Sequence, residues 1–213
     1  MTAARPALTG WPVNLLVAGR RVVVVGGGRI AARKVAPLVE LGADVVVVAK
    51  DVGSELRALA DAGSLRELHE RPFEPADLDG AWLAVTATDD PSVNRAVHDA
   101  AESRRIWCNS ADDPENCSFT LMSVVRRADV VVAIGTGGRS PALAAELRRR
   151  LDRELGPEYE TLLDLLSDAR EDLRAHGRSS EEADWQRAFA SGIVELVRSG
   201  RVDDAKELLR SCL

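Results

Sequence analysis

Val22 to Lys34 reads VVVVGGGRIAARK, an apolar strand that empties into a glycine turn and opens a helix. Four β-branched residues in a row favour the extended chain, and being apolar on both faces they suit a strand buried on both sides of a parallel sheet. Gly26 permits the tight turn, Gly28 lets the backbone approach a pyrophosphate, and Ala31 takes the third small position of a G-x-G-x-x-A pattern. Free N–H groups at the helix start meet the charge of such an anion. A glycine turn of this kind also occurs for packing alone. The complete strand, turn, helix and second strand around it are what point to a dinucleotide site.

Outward from this motif, Ile30 to Leu41 has helical apolar spacing and ends at Gly42, a C-terminal cap. Pro37 inside it lacks a backbone donor and predicts a kink. Asp44 to Ala49 reads as a second strand, Ser54 as the cap of a helix to Ala62, Leu65 to Glu70 as a third strand, and Trp82 to Thr88 as a fourth. Asp90 and Pro91 pair a cap with a first-turn proline, opening a helix to about Ser103 before a strand from Ile106 to Asn109. The alternation predicts an α/β fold, a Rossmann-type doubly wound parallel sheet with its ligand at the carboxyl ends of the strands.

After Pro114 the pattern changes. Phe119 to Val125 and Val130 to Ile134 read as two strands joined by the polar turn Arg126 to Asp129. Ser140 and Pro141 start a helix to about Leu155, and the chain beyond Glu158 is helical and charged. The expected division is a Rossmann domain over 1–113, a dimerisation segment over 114–155 and a helical domain over 156–213. Two strands and one helix have little core of their own, so this segment is expected to complete one in a homodimer.

Composition narrows the function classes. The chain has 213 residues, 46% of them hydrophobic and 29% charged, as in an ordinary folded protein. A formal net charge of −6 argues against non-specific nucleic-acid binding, although a local basic pocket can still take an anion. No apolar run approaches the ~20 residues that span a bilayer, and the start of the chain lacks a basic segment followed by a hydrophobic stretch. A cytoplasmic protein without a membrane or nucleic-acid partner is expected. Cys108, Cys117 and Cys212 form no C-x-x-C pair, and His69, His98 and His176 are scattered, so no metal site is expected.

Three further blocks carry a resemblance: Ala87 to Asn94 (ATDDPSVN), Asn109 to Glu115 (NSADDPE) and Thr136 to Ala144 (TGGRSPALA). In this order, over roughly residues 10 to 155, the chain resembles the precorrin-2 dehydrogenase family, which includes the N-terminal module of bacterial siroheme synthases and the yeast bifunctional dehydrogenase and ferrochelatase. The resemblance implies oxidation of precorrin-2 to sirohydrochlorin with NAD in siroheme biosynthesis, insertion of ferrous iron as a second activity that several members carry, and a homodimer. Gly26, Gly28, Arg29 and Ile30 match the family's cofactor turn, Lys50 and Asp51 the positions beside the adenosine ribose, and Thr86 and Thr88 the strand end that faces the nicotinamide. Asp112 matches the carboxylate to which the family assigns both reactions. A carboxylate there can accept a proton as hydride leaves an adjacent carbon. The alternative is that Asp112 or Asp113 only shapes the turn before Pro114, and the choice of Asp112 rests mainly on the match.

The implied tetrapyrrole carries eight carboxylates, and Arg126, Arg127 and Arg139 are the candidate partners, because arginine recognises carboxylates with two bonds. The alternative for these is a solvated turn. Arg148, Arg149 and Arg150 decorate exposed helix turns instead. The chain departs from the family at Gly135, where serine is common, and at Met122, where proline is common. Lys50 could attract a 2′-phosphate, whereas Asp51 favours a ribose hydroxyl, so NAD is the expected cofactor. Thr136 matches a serine phosphorylated in one type of relative, beside the plainer role of a helix-end or anion-binding hydroxyl. Two other readings stay open: a non-catalytic NAD-sensing regulatory module, and a remnant of a fused synthase that binds cofactor and dimerises without turnover.

Overall fold

In the computed structural model, which describes residues 10–111, 113–181 and 183–213, the valine run becomes β1 (Arg21–Val25), buried from Val22 onward. Around it lie β2 (Asp44–Ala49), β3 (Glu67–Glu70), β4 (Leu83–Thr86) and β5 (Trp107–Ser110), in the spatial order β3-β2-β1-β4-β5. Every neighbouring pair is parallel. Alternation explains why both faces of these strands are apolar. Val22, Val24, Val45, Val47 and Val85 pack against α1 (Arg29–Glu40) and α2 (Ser54–Asp61), whereas Val23, Val25, Val46, Val48 and Ala84 pack against α3 (Pro91–Arg104). Each fully buried valine contributes about 1.5 kcal/mol or more relative to exposure. The chain leaves β1 to one side for β2 and β3 and returns on the other side as β4, so a crevice opens between the carboxyl ends of β1 and β4.

The ends of these elements follow from local chemistry. At the end of α1, Gly42 has φ +75°, its N–H donates to Val39 O (2.9 Å), and Ala43 N–H donates to Leu38 O (3.0 Å), the paired closure of a Schellman cap. Pro37 lies in the last turn of α1, and the helix runs through it without a break. Gly53, not Ser54, caps α2, and Ser54 is its first helical residue. Asp90 caps α3 as expected, with Oδ1 accepting from Ser92 N–H (2.9 Å) and Val93 N–H (3.4 Å). The third and fourth strands are shorter than expected, starting at Glu67 and ending at Thr86 respectively.

The chain divides into two units, Gly10–Leu121 and the part beginning at Met122. The second unit contains β6 (Ser123–Arg127), β7 (Val130–Ile134), α4 (Pro141–Glu154), α5 (Glu158–Ala175), α6 (Trp185–Ala190), α7 (Ile193–Arg198) and α8 (Val202–Cys212). β6 and β7 pair antiparallel with Arg127 opposite Val130, so the turn is only Ala128 and Asp129. Arg126 and Arg127 therefore belong to the strand rather than to the expected four-residue turn. Ala128 takes φ +47°, the positive value that a two-residue hairpin loop demands of a central residue. α4 packs on this hairpin, and Ser140 Oγ caps it by accepting from Leu143 N–H (3.2 Å). Leu162, Leu165, Ile193, Val197, Ala205 and Leu209 form the core of the remaining helices. Among the described residues no helix is long and apolar enough to cross a membrane.

Candidate cofactor site

A cavity of about 970 Å³ opens at the carboxyl ends of β1, β2 and β4, lined by the glycine turn, by Lys50 and Asp51, by residues 71–73 after β3 and by residues 87–90 after β4. The three glycines of the turn differ in what requires them. Gly26 has φ +129°, and a Cβ there would lie 2.4 Å from Ala87 O. A Cβ on Gly27 would lie 1.8 Å from Asp51 O. Both are needed by the protein itself, because the turn is threaded between the ends of β2 and β4: Gly26 N–H to Val48 O and Gly53 N–H to Gly27 O, each 2.9 Å, tie it to β2 and the loop after it, and Ala87 N–H to Val25 O (2.8 Å) ties the residue after β4 to the end of β1. Gly28, by contrast, has φ −86° and ψ −176°, which any residue adopts, and no protein atom lies within 4 Å of a Cβ built on it. Its lack of a side chain leaves room on the cavity side at the N-terminus of α1, which fits the close approach of a pyrophosphate.

Arg29 and Ile30 follow in the first turn of α1, and Ile30, 46% exposed, is a large apolar side chain at the rim. Lys50 and Asp51 are exposed at the end of β2. Across the cavity, Asp90 is held below the usual carboxylate range by the Ser92 hydroxyl, by the N–H groups of Ser92 and Val93, and by the positive charge of Lys50.

Thr86 and Thr88 take different positions. Thr86 is fully buried at the end of β4, does not line the cavity, and donates to Asn94 Oδ1. Thr88 lines the cavity and donates to the same oxygen at 2.8 Å, while Asn94 Nδ2 donates back to Thr88 O at 3.1 Å. Asn94, buried on α3, is thus the clamp of the loop after β4. Sequence reasoning missed it as a site residue, although it stands in the ATDDPSVN block. It also missed Arg71, Pro72 and Phe73, which directly follow the correctly read end of the third strand at Glu70 but carry no motif of their own. Gly27, the variable position of the pattern, is a third omission.

Ala111 lines the cavity at the end of β5. Asp112 lies outside the described residues. Asp113 is committed to a turn: its carboxylate accepts from Asn116 Nδ2, and its carbonyl accepts from Asn116 N–H at 3.2 Å. Burial pushes the Cys108 thiol up to about 12 and raises Cys117 as well, so both are neutral thiols rather than nucleophiles at neutral pH. Among the described residues no group of three or more His, Cys, Asp or Glu side chains stands together as a metal centre.

The three candidate arginines do not converge within one chain. Arg126 and Arg127 end β6 on one side of the hairpin tip, and Arg139 follows the far end of β7, a strand length of roughly 15 Å away. Arg127 is engaged by α4, with Nη2 donating to Asp152 O (2.7 Å) and Oδ1 (3.0 Å). Arg126 and Arg139 are exposed, with no side-chain hydrogen bond or ion pair among the described residues. Thr136 Oγ1 donates to Ser140 O (3.1 Å) and accepts from Ser140 N–H (3.3 Å), closing the loop before α4.

Comparison with known proteins agrees with this geometry. Residues 13–123 match the family described as "Putative NAD(P)-binding". The siroheme synthase of Methylobacillus flagellatus is 37% identical over 204 residues, which are 95% of this chain and 44% of that protein. The siroheme synthase of Escherichia coli O1:K1 / APEC is 43% identical over 141 residues, 66% of this chain and 31% of that protein. The chain thus spans less than half the length of these curated relatives. Among solved structures, SirC, precorrin-2 dehydrogenase, superposes with a TM-score of 0.74 at 26% identity, covering 95% of this chain and 98% of that one. With its Rossmann sheet, its glycine turn and these matches, the chain belongs to the family described as putative NAD(P)-binding and is similar to siroheme synthases and to SirC, precorrin-2 dehydrogenase.

Proposed function

We propose that this chain is an NAD-dependent dehydrogenase that oxidises precorrin-2 to sirohydrochlorin. The observation that carries the proposal is the likeness to SirC over 95% of the chain, combined with a cavity whose Gly28 is left bare toward the ligand side. The reaction takes a hydride and a proton from the reduced macrocycle, giving sirohydrochlorin, NADH and H⁺. NAD, when bound, supplies the hydride acceptor. The chain supplies everything else. N–H groups at the start of α1 meet the pyrophosphate, Asp51 accepts from a ribose hydroxyl, and Asn94 fixes the loop that presents Thr88. Asp112 takes the proton, a role that rests on the family resemblance of the NSADDPE block.

The exposed Arg126 and Arg139 are proposed to receive substrate carboxylates, Arg126 from the hairpin and Arg139 from the loop before α4, with Arg127 fixing the hairpin against α4. Because the arginines of one chain are spread along the hairpin, the proposal includes a homodimer built on the segment 114–155, with 156–213 as a helical domain. It extends to insertion of ferrous iron into sirohydrochlorin, in which iron is a substrate that passes to the macrocycle. The dinucleotide cofactor and three free cysteines suit a reducing cytoplasm.

The test pairs two neighbouring carboxylates. Asp112→Ala is expected to lower dehydrogenation by ~10²-fold or more with NAD affinity unchanged, as for loss of a general base. Asp113→Ala loses the turn contact to Asn116 and is expected to lower the melting temperature while keeping most of the rate. Steady-state rates with NAD titration and circular dichroism decide. An Asp112→Ala protein as active as the parent would refute the proton-acceptor role.

A further inference from the structure

The ribose end of the cavity holds a cation that the glycine motif does not announce. Ala49 pairs with Glu70 in the β2–β3 register, so one step further Lys50 comes beside Arg71, and both line the cavity with Asp51. Arg71 is not free to act there. Its Nη1 donates to Asp77 Oδ2 (2.9 Å) and to Pro72 O (3.0 Å), and its Nη2 donates to Asp77 Oδ1 (2.5 Å). Asp77 is the anchored partner: its side chain is only 7% exposed, and Glu74 N–H donates to Oδ2 at 2.8 Å. Burial works against its charged form, but the Arg71 guanidinium and the Glu74 N–H hold the carboxyl below the usual carboxylate range. The pair therefore stays ionised at neutral pH.

We propose, on the cofactor reading given above, that Asp77 is a specificity-determining positioning residue: by gripping Arg71 at two points it withholds this cation from a 2′-phosphate and biases the site toward NAD. An arginine is the natural two-point partner of a phosphate, and at this position it would favour NADP if it were free. To reach a phosphate, Arg71 must abandon a buried carboxylate that has one other donor, and an uncompensated buried charge opposes that move. Glu70 does not compete for Arg71, because Arg57 holds it with two bonds of 2.8 and 2.6 Å. Selectivity at this end thus has two sources, the carboxylate of Asp51 and the sequestration of Arg71.

The test is equilibrium titration of the full chain with NAD and NADP at one fixed salt concentration, which reads binding rather than turnover. Asp77→Asn keeps the shape and removes the charge, and it is expected to raise the NADP-to-NAD affinity ratio by about tenfold, the scale of one charge-assisted phosphate contact. The double variant Asp77→Asn with Arg71→Gln is expected to return the ratio to that of the parent. Should Asp77→Asn not fold, Arg71→Gln alone decides: the ratio should move by less than about twofold, since a gripped guanidinium contributes little to phosphate binding. A folded Asp77→Asn with an unchanged ratio, a gain that survives in the double variant, or a larger drop in Arg71→Gln would each overturn the inference while leaving the cofactor reading intact. A parent protein that binds neither dinucleotide would overturn both.

Discussion

At the scale of single residues, three adjacent glycines are glycine for separate reasons, and the difference is measurable. Gly27→Ala drives a Cβ into the Asp51 carbonyl, a backbone atom that cannot rotate away, so a stability loss of about 1–3 kcal/mol or more is expected from overpacking. Gly28→Ala meets nothing in the protein. It is expected to leave the melting temperature within a few degrees of the parent while weakening NAD binding by about tenfold or more, since the methyl group occupies the path of the pyrophosphate. Thermal melts and NAD titration of the two variants check this, and full NAD affinity in Gly28→Ala would count against a pyrophosphate there. The sequence displays the motif but not this division of labour. Which glycine is forced by packing depends on Ala87 and Asp51, brought beside the turn by other strands.

At the scale of elements, the parallel strands were legible because burial on both faces leaves an uninterrupted valine run. The sixth strand was misplaced for an equally physical reason. Phe119 is apolar because it packs on the sheet core, and its carbonyl accepts from Asn109 Nδ2 at 3.0 Å, so its hydrophobicity reports packing rather than strand pairing. Asn94 was illegible as a site residue because a polar residue in a helix reads as a solvated face until its partners on another element are known. Asn94→Ala removes the acceptor of the buried Thr86 hydroxyl and frees the loop carrying Thr88. A stability loss of about 1–3 kcal/mol is expected, the cost of an unsatisfied buried polar group. The loosened loop should also raise KM for NAD, so urea unfolding together with initial rates at varied NAD tests both consequences.

At the scale of the whole molecule, the hairpin of β6 and β7 has one face on α4 and another that exposes Val124 and Val131, 40% and 43% accessible. A two-stranded sheet whose open face carries these valines, with Arg126 opposite Val131, is marginal alone, and a second copy of the chain is the proposed partner of this face. Sedimentation at micromolar concentration is expected to give a dimer, and Val131→Glu a monomer that still binds NAD. A monomeric parent of full activity would contradict this. The function itself is tested most directly by anaerobic incubation of the protein with precorrin-2 and NAD, following sirohydrochlorin and NADH absorbance together. Both are expected to rise with enzyme concentration, one NADH for each sirohydrochlorin. Bound NAD with neither product would contradict it, and would turn the same Rossmann site into that of a sensor or a cofactor-binding remnant.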